Sequence, residues 1–477
     1  MSMSIYFIDR DSELRSLEEA LSSDKPELVI VYGRRRIGKT FLIRQLLEGR
    51  RGVYLVVNHT DPDLALRDLA RQLLSQVQLP YEPLIRDFDD LYRLFEGSRA
   101  QLIVIDEFQR LHGTGAVAKL QAFWDQAKER SRLKLVLSGS SVGMMERIGL
   151  SHESPLYGRA SRILRLGPLP YRAARLFTEA YAEEDRMRTF AVFGGTPGYL
   201  ALLDDRAPLI ENLRRLVLSR AAPLREEPLV SLSMELRDPS RYIAVLEAVA
   251  SGATKLGEIA DKAGVEHSEV GKYLRVLERE LDLVERRYPL LEEGRRGRAR
   301  YYVKDHFVRF WFRFVFPNTH LLELELEDRV LDAVARHLDL HVSQAFEEVA
   351  LEHFSLLARE GAVGFTRIGR WWRGDVEIDF VAIDETSKMA YFAEVKWSTQ
   401  PVDQRVLYGL ARKAEEFPWR RGERREVYVL YSRAGFTFTG DRDVLLFSLR
   451  NLQGLFERHR PLKRSLKPPA EPSPDSI

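Results

Sequence analysis

The chain has 477 residues, which suggests about three domains at roughly 150 residues each, and 73 basic against 71 acidic side chains leave it almost neutral at +2. With 45% hydrophobic residues it has enough apolar mass for several cores, so a wholly disordered chain is excluded. It has no cysteine, which removes disulfides, thiolate metal sites and cysteine nucleophiles, and any basic surface for nucleic acid must be local.

The start, MSMSIYFIDRD, lacks a basic stretch followed by an apolar one. Four apolar runs then follow: 28–33, 53–57, 102–106 and 133–139. Amphipathic stretches of helical length separate them. That alternation predicts a parallel α/β sheet within a first domain at 1–155. Residues 156–238 read as a helical lid broken by Gly-Pro-Leu-Pro and Gly-Gly-Thr-Pro-Gly. Residues 239–306 read as helix, helix–turn–helix and two strands around a basic loop, the layout of a winged helix. A helical connector at 307–339 precedes a domain at 340–458 of order αβββαβ, and the Pro-rich end from 459 to 477 reads as unstructured. The longest aromatic run, FVRFWFRFVF, is too short for a membrane span and carries Arg309 and Arg313, so a soluble, cytoplasmic protein without membrane partners is expected.

Between the first strand and the helix after it lies Gly33-Arg34-Arg35-Arg36-Ile37-Gly38-Lys39-Thr40, which satisfies GxxxxGK[ST]. Glycines let backbone N–H groups curl around phosphates, and the helix adds its amino terminus. Lys39 would reach the β- and γ-phosphates, and Thr40 would ligate Mg²⁺. The run Leu102–Asp106 followed by Glu107 ends a strand in two carboxylates. Asp106 suits the Mg²⁺ shell, and Glu107 suits orienting or deprotonating a water, which favours hydrolysis. Ser138, Ser140 and Ser141 close the next strand, where a hydroxyl can sense the terminal phosphate or simply turn the chain. Arg159 is a candidate charge stabiliser, within the chain or across a subunit boundary; its plain alternative is a surface cation.

In the winged-helix segment, residues 271–313 hold twelve basic and seven acidic side chains. Lys272, Arg275 and Arg279 on the candidate recognition helix, with Arg295, Arg296, Arg298 and Arg300 at the hairpin tip, suit a DNA backbone. Glu266, Glu269, Glu278 and Glu280 keep a protein-binding role open.

The last domain offers two strands, Val376–Ile383 and Met389–Trp397, joined by a four-residue loop. If Asp384 faces Met389, the numbers of facing residues sum to 773, and Asp379 lies opposite Glu394 with Lys396 on the same face. Opposed carboxylates on apolar strands repel unless a cation or proton sits between them. Mg²⁺ held by Asp379, Glu394 and Glu347 of the preceding helix, with Lys396 activating a water, would make a phosphodiesterase. A buried ion triad neutralised by Lys396 is the alternative.

Together FIDRDSEL, YGRRRIGKT, LIVIDEFQRL, LVLSGSSVGMM, LYGRASRILRLGPL, FGGTPGYL and EIDFVA…AEVKWS resemble a family of prokaryotic, especially archaeal, AAA/STAND-like ATPases. Those proteins end in a poorly characterised domain related to restriction endonucleases. The resemblance covers about residues 5–455 and implies ATP as cofactor, with Asp9 and Arg10 near the base and Gly194 to Pro197 approaching adenine. It also matches Lys39, Thr40, Asp106 and Glu107 to the phosphate and metal positions, and Glu347, Asp379, Glu394 and Lys396 to the nuclease pattern. The usual proline before the central aspartate is replaced by Ile378. The expected protein is an Mg²⁺-dependent ATPase coupling nucleotide state to a DNA-binding winged helix and a nuclease-like domain, with DNA as the expected partner and another copy or a protein as further candidates. The alternative is a nucleotide-dependent signalling switch or scaffold with a protein-binding winged helix and an inactive nuclease-like domain.

Overall fold

The computed structural model describes residues 6–81, 83–295 and 297–465. They form two compact units. The first holds the chain to Pro168, Arg279–Asp282 and the segment from Leu462; the second holds Leu169–Glu278 and Leu283–Pro461.

In the first unit the strands are β1 (Tyr6–Ile8), β2 (Glu27–Tyr32), β3 (Gly52–Val56), β4 (Leu102–Asp106), β5 (Lys134–Gly139) and β6 (Arg162–Arg165). The last five pair in parallel in the order β3-β4-β5-β2-β6. β2, β4 and β5 are buried along their whole length, as near-continuous apolar runs require in a sheet covered on both faces. Alternation splits β2 between two cores. Val29 and Val31 pack with Leu14, Leu17, Leu42 and Leu46 from helices Asp11–Ser22 and Lys39–Leu47. Leu28 and Ile30 pack with Leu69, Leu91 and Leu120 from helices Pro62–Gln76, Phe88–Gly97 and Ala116–Arg130. The result is the expected parallel α/β sheet.

β6 corrects the expected boundary at 155. Only Ile163 and Leu164 mark it as apolar, between two arginines, because an edge strand pairs on one side alone and Arg162 turns to Glu27 at 3.3 Å. The first unit therefore runs to Pro168.

The second unit begins with short helices. Helices Ser240–Ala250, Leu256–Ala263 and Val270–Arg279 then lead to the antiparallel hairpin of β7 (Val284–Arg287) and β8 (Arg300–Val303). Phe307, Phe310, Trp311 and Phe312 are fully buried, so the aromatic run serves a protein core. Among the described residues no helix is long and apolar enough to cross a membrane.

A separate mixed sheet follows: β9 (Arg367–Arg373), β10 (Val376–Asp384), β11 (Met389–Lys396), β12 (Arg425–Ser432) and β13 (Val444–Ser448), neighbours in the order β13-β12-β11-β10-β9. β9, β10 and β11 are antiparallel, while β11, β12 and β13 are parallel, with helix Gln404–Glu416 as the first crossover. The register follows the 773 rule from Phe380↔Ala393 to Asp384↔Met389.

Three features depart from the sequence reading. One 33-residue helix, Glu327–Arg359, runs through the boundary expected at 339/340, since no glycine or proline interrupts it. β13 and helix Leu449–Arg458 extend the αβββαβ order. Residues 459–465 are ordered, not a loose tail: β14 (Lys463–Ser465) pairs antiparallel with β1. The rest of that expected tail, 466–477, lies outside the described residues.

Candidate functional site

In the first unit the carboxyl ends of β2, β4 and β5 lie at one sheet edge, where parallel α/β sheets bind ligands. The phosphate loop leaves β2 there. Gly33 cannot be replaced, because a Cβ would sit 2.3 Å from the Leu166 carbonyl oxygen. Gly38, at φ 100°, takes a left-handed turn and delivers Lys39 as first residue of the next helix. Arg36 also turns left-handed, at φ 62°. Lys39 is buried, and its Nζ donates to the carbonyl oxygens of Gly33 at 2.7 Å and Arg34 at 2.9 Å. The ammonium therefore lies within the loop's own curve. Thr40 follows and is exposed. Arg10 buttresses the loop from outside, donating to Ile37 O at 3.3 Å and Gly167 O at 2.5 Å. Asp9, beside it, has a left-handed φ of 55°.

Asp106 ends β4 buried. Its Oδ2 accepts from Tyr54 Oη at 2.5 Å, and its Oδ1 from the Glu107 backbone at 2.9 Å. Burial and the Asp106 contact push the Tyr54 phenol well above its ordinary pKa. Glu107 stands at φ 55°, a conformation a non-glycine residue adopts rarely. Its Oε2 accepts from Gln109 Nε2 at 2.7 Å and Ser140 Oγ at 3.1 Å, and Gln109 also donates to Ser140 at 3.1 Å. Of the three serines, Ser140 is the one joined to Glu107. Thr40 and Asp106 supply hard oxygen donors that fit Mg²⁺.

Sequence reasoning missed Tyr54 and Gln109. Tyr54 lies on a neighbouring strand, and only the β3–β4 pairing reveals it. Gln109 could have been suspected as a polar residue two positions from Glu107 in an otherwise buried FQRL turn.

Arg159 is not at this edge. Ser161 donates to Leu28 O, and Arg162 pairs with Val29, so Arg159 lies at the start of the strands. There its Nε and Nη2 grip Asp125 at 3.0 and 2.7 Å. The charge-stabiliser reading fails within one chain because β6 runs parallel to β2, and residues before it face away from the phosphate loop. Gly194 to Pro197 belong to the second unit, where Gly195 packs so tightly on Leu169 that a Cβ would approach its carbonyl oxygen to 1.9 Å.

The second unit carries the C-terminal carboxylates. Paired residues end at Phe380, and Asp379 Oδ2 then accepts from the Val395 backbone at 2.7 Å, beside a register shift between β10 and β9. Burial, Glu347 and Glu394 push the Asp379 carboxyl up to about 8. Burial also raises Glu347, against the pull of Arg370, with which it forms an ion pair. Glu394 is clasped by two lysines: Lys396 Nζ at 2.6 Å and Lys413 Nζ at 2.8 Å. Burial works against the Lys396 charge, but Glu394 and Asp379 outweigh it and raise its pKa. Glu347 and Glu394 thus meet three cations of the protein's own, while Asp379 is pushed toward its neutral form. Among the described residues no three acidic or histidine side chains form a metal-holding group. Arg370 and Lys413 were not legible as partners, one being on β9 and the other nineteen residues beyond Glu394 on a helix.

The β7–β8 hairpin packs on this sheet. Arg300 Nη1 lies 2.7 Å from Glu377 Oε2, with its guanidinium 4.7 Å from the Trp372 ring centre. Leu290 N donates to Arg370 O at 2.7 Å, and Arg287 reaches Glu348 at 3.2 Å. Arg298 pairs with Glu292 at 3.2 Å. Arg295 remains exposed, and Arg296 lies outside the described residues. Lys272, Arg275 and Arg279 are exposed along one helical face.

Comparison with known proteins places two domains on the chain. Residues 7–203 match an ATPase domain predominantly from Archaea, and 311–407 match archaeal and bacterial proteins of unknown function. An uncharacterized protein of Methanocaldococcus jannaschii is 32% identical over 395 residues, covering 82% of this chain and 87% of that one. An uncharacterized ATP-binding protein of the same organism is 45% identical over 47 residues, 10% of this chain and 80% of that protein. Among solved structures, a Walker-type ATPase of Pyrococcus abyssi is similar at 22% identity, with 64% of this chain and 96% of that chain covered and a TM-score of 0.48. The Aeropyrum pernix ORC2 protein, solved as ADPNP–ADP complexes, is similar at 15% identity, with 67% and 95% covered and a TM-score of 0.43.

Proposed function

The chain belongs to the archaeal-type family that joins an ATPase domain to a C-terminal domain of unknown function, and from that premise we propose that it is an Mg²⁺-ATP-hydrolysing switch. One observation carries the reading: at a single sheet edge, the loop bearing Lys39 and Thr40 follows β2, and Asp106 with a Glu107 held by Ser140 and Gln109 ends β4, with β5 between the two strands. Lys39 would exchange its two carbonyl partners for phosphate oxygens. Thr40 and Asp106 would hold Mg²⁺, which when bound draws charge from the phosphates. Glu107 would take the proton of the attacking water, while Ser140 and Gln109 hold its carboxylate in place. Arg10, by holding the loop through Ile37 and Gly167, would set the space beside the base. The test is nucleotide binding by calorimetry beside steady-state phosphate release. Glu107→Gln should keep affinity and lose turnover; loss of neither would overturn the reading.

For the second unit, the pairing of Glu347 with Arg370 and of Glu394 with Lys396 and Lys413, beside an Asp379 pushed toward its neutral form, favours the switch over the metal-dependent nuclease. In this reading the nuclease-like domain transmits nucleotide state without cutting. Within the winged helix, Arg300 and Arg298 serve contacts inside the chain. Lys272, Arg275 and Arg279 are then the cationic face for DNA, a protein partner or another copy. Mg²⁺-dependent nicking of plasmid DNA that disappears in Asp379→Ala would restore the nuclease reading. ATP turnover stimulated by DNA, and lost in Lys272→Glu with Arg275→Glu, would choose DNA among the partners.

A further inference from the structure

The parallel sheet of the first unit has a second edge, where its strands begin. Four turns converge there: those leading into β2, β3, β4 and β5. They enclose a cleft of about 640 Å³, within the ~300–1,000 Å³ range of small-molecule sites. Its lining is polar and lopsided, with five cations against two carboxylates. Both carboxylates already have partners: Arg130 lies 3.1 Å from Glu96, and Arg132 lies 3.7 Å from Asp24. Among the described residues no carboxylate pairs with Arg50 or Arg99. Arg50 gives one N–H to the Leu46 carbonyl at 2.7 Å, and Arg99 stands exposed at a left-handed φ of 54°. The fifth cation, Lys134, is buried, its Nζ donating to the carbonyl oxygens of Ser23, at 2.6 Å, and Lys25. Burial lowers its pKa, and Glu27 and Asp24 oppose that shift only in part.

We propose that this cleft binds a small oligophosphate-bearing ligand, separate from the nucleotide at the opposite edge. The chemistry is specific in kind. Two guanidinium groups without carboxylate partners offer planar forks suited to phosphate oxygens. Backbone turns and arginine stems form the walls, and Phe95, the single aromatic side chain among the lining residues, is buried. The lining thus provides for charge and offers little for a base to stack on. The two sites are separated by the length of β5, roughly 17–20 Å at ordinary strand rise, so both can be filled together. Signals between them would travel along strands that begin at Lys134 and end beside Ser140.

The experiment is calorimetric titration of the full chain with inorganic tripolyphosphate, with the phosphate loop first saturated by ADP and Mg²⁺. One further site is expected, weakened at least tenfold in Arg50→Glu with Arg99→Glu. ADP affinity in that variant should match the parent, which also reports a folded sheet. No second site under ADP, or a second site indifferent to the two substitutions, would overturn the proposal. So would a variant that loses affinity for single-stranded DNA while the parent ignores tripolyphosphate, since the cleft would then be a groove for a nucleic-acid backbone.

Discussion

The phosphate-loop edge and the C-terminal acidic centre use the same residue types to opposite ends. At the first, Asp106 and Glu107 accept hydrogen bonds from Tyr54, Ser140, Gln109 and a backbone N–H, all neutral donors, and Arg110 stands off from Glu107 at 3.9 Å. Lys39 rests on two carbonyl oxygens. The hydrogen bonds orient these groups, and the ion pair to Glu107 is long, an arrangement suited to a polyanion and a cation. At the second, each carboxylate of the set is met by an internal cation or pushed toward its neutral form. Motif spacing finds both places; only the identity of the partners separates a site open to ligand from one closed on itself.

The sharpest attempt to break this contrast removes Lys39. Lys39→Ala should weaken ATP and ADP binding and reduce turnover by about 100-fold or more, measured by calorimetry and phosphate release; intact turnover would end the comparison. Next is the double substitution Lys396→Met with Lys413→Met. Leaving Glu394 buried and unpaired should cost about 3 kcal/mol in urea unfolding. Full recovery of that loss on adding millimolar Mg²⁺ would mean that the centre takes a metal after all, and the contrast would fail.

Asp379 allows a pH test. Its folded pKa, near 8, stands above the ordinary carboxyl value of 3.8. The unfolded chain therefore releases this proton first, and the native state loses stability as pH rises from about 4 to 8. Asp379→Asn should flatten that slope and stabilise the protein at pH 8 by about 1–2 kcal/mol, read from chemical unfolding across pH. Arg300→Ala, which removes the Glu377 pair and the Trp372 contact, should cost about 1 kcal/mol and speed amide exchange in β7 and β8. The smallest effect belongs to Arg159→Ala, whose loss of a half-exposed pair with Asp125 should stay under about 1 kcal/mol and leave turnover unchanged. A tenfold fall in turnover would place Arg159 at a neighbouring copy's site.

How far the sequence could be read follows from how local each signal was. The LIVID and LKLVLSG runs announce buried strands, and the 376–397 hairpin yields its register because a short turn leaves little freedom in pairing. The strand Arg162–Arg165 stayed hidden because half of its four residues are arginine. Helix Glu327–Arg359 crossed an expected boundary because composition changes there while helical periodicity does not. Partners contributed from distant elements, such as Tyr54 to Asp106, Arg370 to Glu347 and Lys413 to Glu394, leave no mark in spacing. The metal reading of the acidic centre rested on like-charge crowding. That crowding exists, but the counter-charges come from β9, from β11 and from a helix.

The two-stranded ribbon of β1 and β14 has a consequence for biogenesis. Tyr6–Ile8 can find their pairing partners only after residue 465 has left the ribosome, although β2 to β6 need nothing beyond residue 165. The ATPase sheet can therefore condense early in translation, while the ribbon leading into Asp9 and Arg10 closes last, across a loop spanning most of the chain. Newly made protein would pass through an interval in which the phosphate loop is folded but its outer brace is not yet sealed.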